Sequence, residues 1–340
     1  MNLDGLKLTS YFGERKRVGQ GFLADALMDL YGRRQLTASI MLRGAEGFGL
    51  KHHLRSDHSL TLSEDLPAVA VAVDTRERIE AVLDPTAELG PGLITLEWAR
   101  LLTGDISPVA LTEPTYDATK LTVYLGRQER VYRVPAFVAV CDLLYRRGIA
   151  GASVLLGVDG TARGIRERAR FFGRNAQVPM MVIAVGSGEQ IADVLPELGG
   201  LLREPLLTLE RVRVCKRDGQ LLDTPHILPS RDERGMPLWQ KLMIYTSEAA
   251  LHRGQPIHRA VNRRLRATGA AGSTTLRGIW GFHGAHAPHG DRPFQVSRHV
   301  PTVTVVIDSP DRIAQSFAII DELTSERGLV TSEVVPARAL

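Results

Sequence analysis

The sequence predicts an α+β chain built from three tandem βαββαβ units, and two observations carry that prediction. The first is an internal repeat. Lys7-Leu8-Thr9-Ser10-Tyr11-Phe12-Gly13 returns as Lys120-Leu121-Thr122-Val123-Tyr124-Leu125-Gly126 and, more faintly, as Lys241-Leu242-Met243-Ile244-Tyr245. Leu42-Arg43-Gly44 answers Leu155-Leu156-Gly157 and Leu276-Arg277-Gly278 at the same spacing, without a gap. The second is periodicity, which switches within each copy between the two-residue alternation of a strand and the 3.6-residue repeat of a helix. The units run over 6–101, 119–214 and 240–337.

Leu6–Phe12 alternates and is rich in β formers, so it opens the first unit as a strand. Phe22, Ala26, Leu27 and Leu30 follow at helical spacing, as do Phe137, Val140, Cys141 and Leu144 in the second unit. Pro135 and Pro256 stand near the start of this helix, where a missing N–H is harmless. Ala38–Leu42 is the second strand, expected to stop at Gly44 and give way to a polar loop. Ala68–Val73, Met180–Val185 and Thr302–Ile307 are third strands, each behind a proline: Pro67, Pro179 and Pro301. Arg76–Leu83 fits a second helix and Leu93–Ala99 a fourth strand, where Glu97 is matched by Glu210 and Glu333.

This order is the ferredoxin-like, or split βαβ, pattern, with both helices on one face of a four-stranded sheet. Val69, Val71 and Val73 alternate with alanines, so both faces of the third strand are expected to be buried. Three sheets in one chain can cover one another. The expectation is therefore an intramolecular pseudo-trimer that is a monomer in solution, joined by proline-containing linkers at 102–118 and 215–238.

Composition narrows the function classes. Across 340 residues, 44% are hydrophobic and 24% charged, which suits a folded soluble chain. Forty-two basic residues nearly balance 38 acidic ones, which argues against a dedicated nucleic-acid binder. No apolar run reaches the roughly 20 residues that span a bilayer, so no direct membrane insertion is expected. The start lacks a secretory pattern, and two cysteines build neither a disulfide framework nor a CxxC zinc site. The expected location is the cytoplasm.

Leu42-Arg43-Gly44-Ala45-Glu46-Gly47-Phe48-Gly49, followed by Leu62-Ser63-Glu64-Asp65-Leu66-Pro67, resembles the PII-like family of unknown function numbered 190. Unit three resembles it through Gly254-Gln255-Pro256, Ala271-Gly272-Ser273-Thr274 and Leu276-Arg277-Gly278-Ile279-Trp280-Gly281-Phe282. Unit two keeps Gly151-Ala152-Ser153-Val154-Leu155 but has Asp159-Gly160-Thr161 in place of the glycine–phenylalanine signature. The family is similar to the PII signalling proteins, homotrimers that bind adenine nucleotides between subunits at the base of a long loop. The resemblance implies a non-enzymatic regulator. It would bind a small nucleotide effector in inter-unit clefts and act through its loops on a regulated protein, with a membrane transporter as one candidate partner.

Glycines at 44, 47 and 49 also carry an independent reading: their N–H groups can form an anion nest, with Arg43 and Lys51 neutralising phosphate. Phe48 belongs to the same segment, and Arg277, Gly278, Gly281 and Phe282 are its counterpart in unit three. Gly90 and Gly92, with Arg100 or Arg213, are candidates for the second wall. Gly47→Val is expected to weaken binding while sparing the fold. The alternative is a metal-binding protein, like the copper-tolerance protein CutA of similar architecture, or a ligand-free scaffold. His283, His286 and His289 are the candidate Zn or Cu ligands. No cofactor is required on either reading. Arg163, Arg166, Arg170 and Arg174 in the loop of unit two would share one helical face, as an anion dock or a solvated surface. No HExxH, Walker A or GxSxG motif supports an enzyme.

Overall fold

The computed structural model describes residues 2–49, 52–57, 65–106, 118–162, 165–168, 178–231, 237–284, 286–290 and 300–340. The first unit contains β1 (Asn2–Gly13), α1 (Leu23–Arg33), β2 (Ala38–Phe48), β3 (Pro67–Thr75), α2 (Arg76–Glu88) and β4 (Leu93–Thr103). The second contains β5 (Ala118–Gly126), α3 (Ala136–Arg146), β6 (Gly151–Leu156), β7 (Pro179–Gly186), α4 (Gly188–Leu201) and β8 (Leu206–Arg217). The third contains β9 (Trp239–Ser247), α5 (Ile257–Ala267), β10 (Ser273–Arg277), β11 (Pro301–Asp308), α6 (Pro310–Leu323) and β12 (Leu329–Val335). The chain is thus a three-repeat mixed α/β protein with six helices among the described residues and one large antiparallel sheet system.

Each unit pairs its strands in the order fourth–first–third–second. In the first unit β1 lies between β4 and β3, and β2 pairs with β3. The other two units repeat this arrangement. Side-chain alternation then splits every sheet into two faces. Ala68, Ala70 and Ala72 of β3 face the helices, in a core with Leu23, Leu27 and Ile79. Val69, Val71 and Val73 face the other way, into a core shared with Ile183 of unit two and Val303 and Val305 of unit three. Small residues under the helices allow close approach, and branched ones fill the space between sheets.

The units are also stitched edge to edge. The start of β8 pairs with the end of β4, the end of β8 with β12, and Ala337–Ala339 with the start of β4. The second strands form another closed cycle. Residues 44–48 of β2 pair with β10, Asp159–Ala162 with β2, and Trp280–His283 with β6.

Four expectations are corrected. The second strand does not end at Gly44 but continues to Phe48, because its extension gains a partner in unit three. The second helix continues to Glu88; the fourth strand continues to Thr103, where β8 pairs with residues 100–103. Phe22 is exposed at the N-cap of α1, so Leu23, Leu27 and Tyr31 carry the buried face instead.

Candidate functional site

The recurrent lysines and glutamates meet at the centre of the molecule. Lys7 lies opposite Glu97 across β1 and β4, Lys120 opposite Glu210, and Lys241 opposite Glu333. The pairs also cross between units: Lys7 contacts Glu210, Lys120 reaches Glu333 at 2.6 Å, and Lys241 reaches Glu97 at 2.6 Å. All six side chains are buried, and three positive charges cancel three negative ones. Burial alone would raise the Glu97 carboxyl, but the surrounding Lys241, Lys7 and Lys120 hold it well below the usual carboxylate range. Oxygen atoms of the three carboxylates lie within 4.8 Å of one another, a spacing that could hold a metal ion. Three ammonium groups already neutralise them, so the set needs no cation. It ties the three units together, since each lysine also meets a glutamate of another unit.

A cavity of about 450 Å³ opens between units one and three. Tyr11, Phe12 and Phe48 of unit one and Trp239, Val305 and Ile307 of unit three supply its apolar lining. Arg15, Lys16, His53 and Arg55 make it basic, opposed by Asp65. Arg55 pairs with Asp65 at 3.0 Å, while Asp65 also accepts the backbone N–H of Arg15 at 2.7 Å. Gly13 permits this cluster, since a Cβ there would fall 2.2 Å from the Asp65 carboxylate. The size lies within the roughly 300–1,000 Å³ of small-molecule sites.

Of the residues singled out from sequence, Phe48, Gly49 and Gly92 line this cavity. Gly44, Gly47, Gly278 and Gly281 belong instead to the seams between units. A Cβ on Gly47 would lie 2.4 Å from the Ser273 carbonyl oxygen, and one on Gly281 2.2 Å from that of Ala152. Gly160 stands in the same relation to Ser39, so unit two retains G-x-x-G as Gly157 and Gly160. These glycines let strands of different units touch. The expectation that Gly47→Val spares the fold is therefore corrected.

Arg43 is held by Glu14 through two hydrogen bonds, of 2.7 and 3.0 Å, and Arg277 by Glu248 and Asp57. Gly90 sits in the turn after α2 at φ 64°, outside the lining. Arg100 lies on β4 opposite Leu209, and Arg213 pairs with Asp223 at 3.0 Å; neither lines the cavity. Lys51, Arg163, Arg170 and Arg174 lie outside the described residues, as does the Arg166 side chain. Phe282 packs edge-on to Tyr145.

The histidines do not converge. His283 pairs with Asp218 at 2.9 Å, His289 Nδ1 lies 2.9 Å from the Ala287 carbonyl, and His286 is exposed. Arg15, Lys16, Arg55, Asp65 and Trp239 were missed by sequence reasoning; only the basic pair after the first strand offered a local signal.

Just before the cavity, Glu46 of β2 is buried against α5, near Arg259 and Asn262. Burial raises its carboxyl to about 7, the arginine and the Asn262 hydrogen bond opposing the shift. The unfolded carboxyl titrates near its ordinary value of about 4.3. Stability is thus favoured while Glu46 is protonated and falls as pH rises between those two values. Glu46→Gln is expected to flatten this slope, removing on the order of 3–4 kcal/mol of pH dependence in urea titrations between acid and neutral pH. An unchanged slope would reject the assignment.

Three repeats around a shared core, with a basic and aromatic cleft between two of them, define a tandem-repeat α/β protein with a cavity between units. The chain belongs to the DUF190 family, described as Uncharacterized ACR, whose model matches residues 5–101, 118–214 and 239–337. Among solved structures, the aspartate kinase from Synechocystis aligns at 11% identity over 97% of this chain, with a TM-score of 0.23. This chain spans 43% of that protein. No helix among the described residues is long and apolar enough to cross a membrane.

Proposed function

We propose that this chain is a non-enzymatic PII-like regulator whose ferredoxin-like units form an intramolecular pseudo-trimer. In this reading it binds an adenine nucleotide between units one and three and signals to a protein partner through its loops. The carrying observation is the 450 Å³ cavity, which joins aromatic walls to a basic rim. Aromatic and aliphatic faces suit a flat base, and Arg15, Lys16 and Arg55 suit phosphate. The strand order and the two cyclic pairings support the pseudo-trimer, which needs no second chain to cover its sheets.

Calorimetric titration with ATP, ADP, AMP and cyclic nucleotides tests the reading. One of them is expected to give a saturable heat, and Arg55→Gln to weaken it about tenfold or more, as loss of a charge-assisted hydrogen bond does. Absence of heat with every nucleotide would sink it. Light scattering of the unliganded protein is expected to give the mass of one chain.

A further inference from the structure

Each unit turns from its first strand into its first helix through a short hairpin. Arg17–Val18 pairs with Gly21–Phe22, Arg130–Val131 with Val134–Pro135, and Leu251–His252 with Gln255–Pro256. Two-residue turns of this kind ordinarily carry Asn, Asp or Gly. Here every hairpin instead exposes a large apolar side chain: Phe22 at 41%, Tyr132 at 91% and Leu251 at 55%.

Tyr132 is displayed against a backbone preference. It and Arg133 hold the two turn positions at φ of 46° and 72°, a region that glycine or asparagine fills easily and bulky residues rarely adopt. Folding alone favours Asn-Gly there, so the strained pair points to a role for the tip itself.

The hairpins are also basic. Residues 13–22, 126–135 and 247–256 hold seven arginines and lysines against three acidic residues, an excess that equals the +4 of the whole chain. The three acids are already engaged: Glu14 with Arg43, Glu248 with Arg277, and Glu129 with the Gly126 N–H. Arg17 lies over the Phe22 ring at 5.1 Å, so charge and apolar body are presented together.

The three tips leave one centre in the same way. Lys7, Lys120 and Lys241 all contact Glu97. Each first strand then runs on along the shared core, by way of Tyr11, Tyr124 or Tyr245, before it reaches its hairpin. The tips therefore belong to the same end of the molecule.

We propose that these hairpins seat the protein on an anionic lipid bilayer, with Phe22, Tyr132 and Leu251 entering the headgroup region and the neighbouring arginines on lipid phosphates. Isolated side chains on three separate tips form no continuous patch for the core of a protein interface. A bilayer needs none, because single aromatic and aliphatic residues flanked by arginine settle at its surface. Three weak anchors held in one body then act together. The attachment does not depend on what the cavity between units one and three binds.

The test sediments the full chain with vesicles of phosphatidylcholine, alone or mixed with phosphatidylserine. Binding is expected to the anionic vesicles only, and to fall away in molar salt, where the screening length drops to about 3 Å. Phe22→Ser, Tyr132→Ser and Leu251→Ser together are expected to weaken it about tenfold or more. Ile227→Ser, at a side chain 98% exposed on the linker after unit two, should leave it unchanged. Should the triple variant misfold, Tyr132→Asn decides. It relieves the turn, so the melting temperature is expected to rise while vesicle binding falls about threefold. No vesicle binding, equal binding to neutral vesicles, or undiminished binding by either tip variant would overturn the proposal, as would an equal loss with Ile227→Ser. So would tip-dependent binding to polyglutamate in place of vesicles, which would assign the hairpins to an acidic protein.

Discussion

Lys120→Met is expected to destabilise the protein by about 3–5 kcal/mol, the range for removing one member of a buried ion network. Lys120 is 1% exposed and contacts Glu210 at 3.0 Å, Glu333 at 2.6 Å and Glu97 at 4.0 Å, a carboxylate from every unit. Methionine keeps the length of the side chain but leaves three carboxylates facing two ammonium groups. The excess negative charge has no water to solvate it. Replacing all six residues with apolar ones of similar volume is expected to restore much of the loss, because desolvation of the whole set is relieved together. Urea denaturation of the single and sixfold variants measures both. A single-variant loss under about 1 kcal/mol would mean that water reaches the ring. The pH dependence has a definite sign. Glu97 is held low by its lysines, so its contribution is complete above the ordinary carboxylate range and is lost only as pH falls through the depressed value.

Gly47→Val is expected to cost about 3 kcal/mol or more and to separate units one and three, because the obstacle is backbone. The new Cβ would fall 2.4 Å from the Ser273 carbonyl oxygen and 2.9 Å from the Pro67 ring. Neither can rotate away. Relief requires β2 and β10 to part, losing the pairing of Phe48 with Ser273 and of Gly47 with Thr274. Gly49→Ala is the control: nothing lies within 4 Å of its added Cβ, and a change within about 0.5 kcal/mol is expected. Thermal melts of the two variants should differ plainly. Equal melting temperatures would refute the seam.

The repeat was legible because Lys7, Lys120 and Lys241 and the matching glutamates recur at fixed positions. Their meeting was not, since local pattern contains neither register nor the packing of one unit on another. The glycines misled in an instructive way. A cluster such as Gly44, Gly47 and Gly49 reads as a loop, because glycine is a poor strand former. Pairing with a strand more than 220 residues away overrides that propensity. Likewise Arg43 looked available for phosphate until Glu14, 29 positions earlier, came into contact with it. The cavity was the least legible feature, for its walls lie at opposite ends of the chain.

The cyclic strand pairing sets a schedule for biosynthesis. The chain leaves the ribosome from its N-terminus, so β4 and the extension of β2 emerge long before β10 and Ala337–Ala339, which cover them. At about 5–20 residues per second, the wait for the last segment is on the order of 10–50 s. During that interval the first sheet presents an apolar face and unpaired edges to solvent or to a chaperone. Nascent chains stalled before the third unit should therefore be the species that aggregate, and a circular permutant placing unit three beside unit one should shorten the exposure.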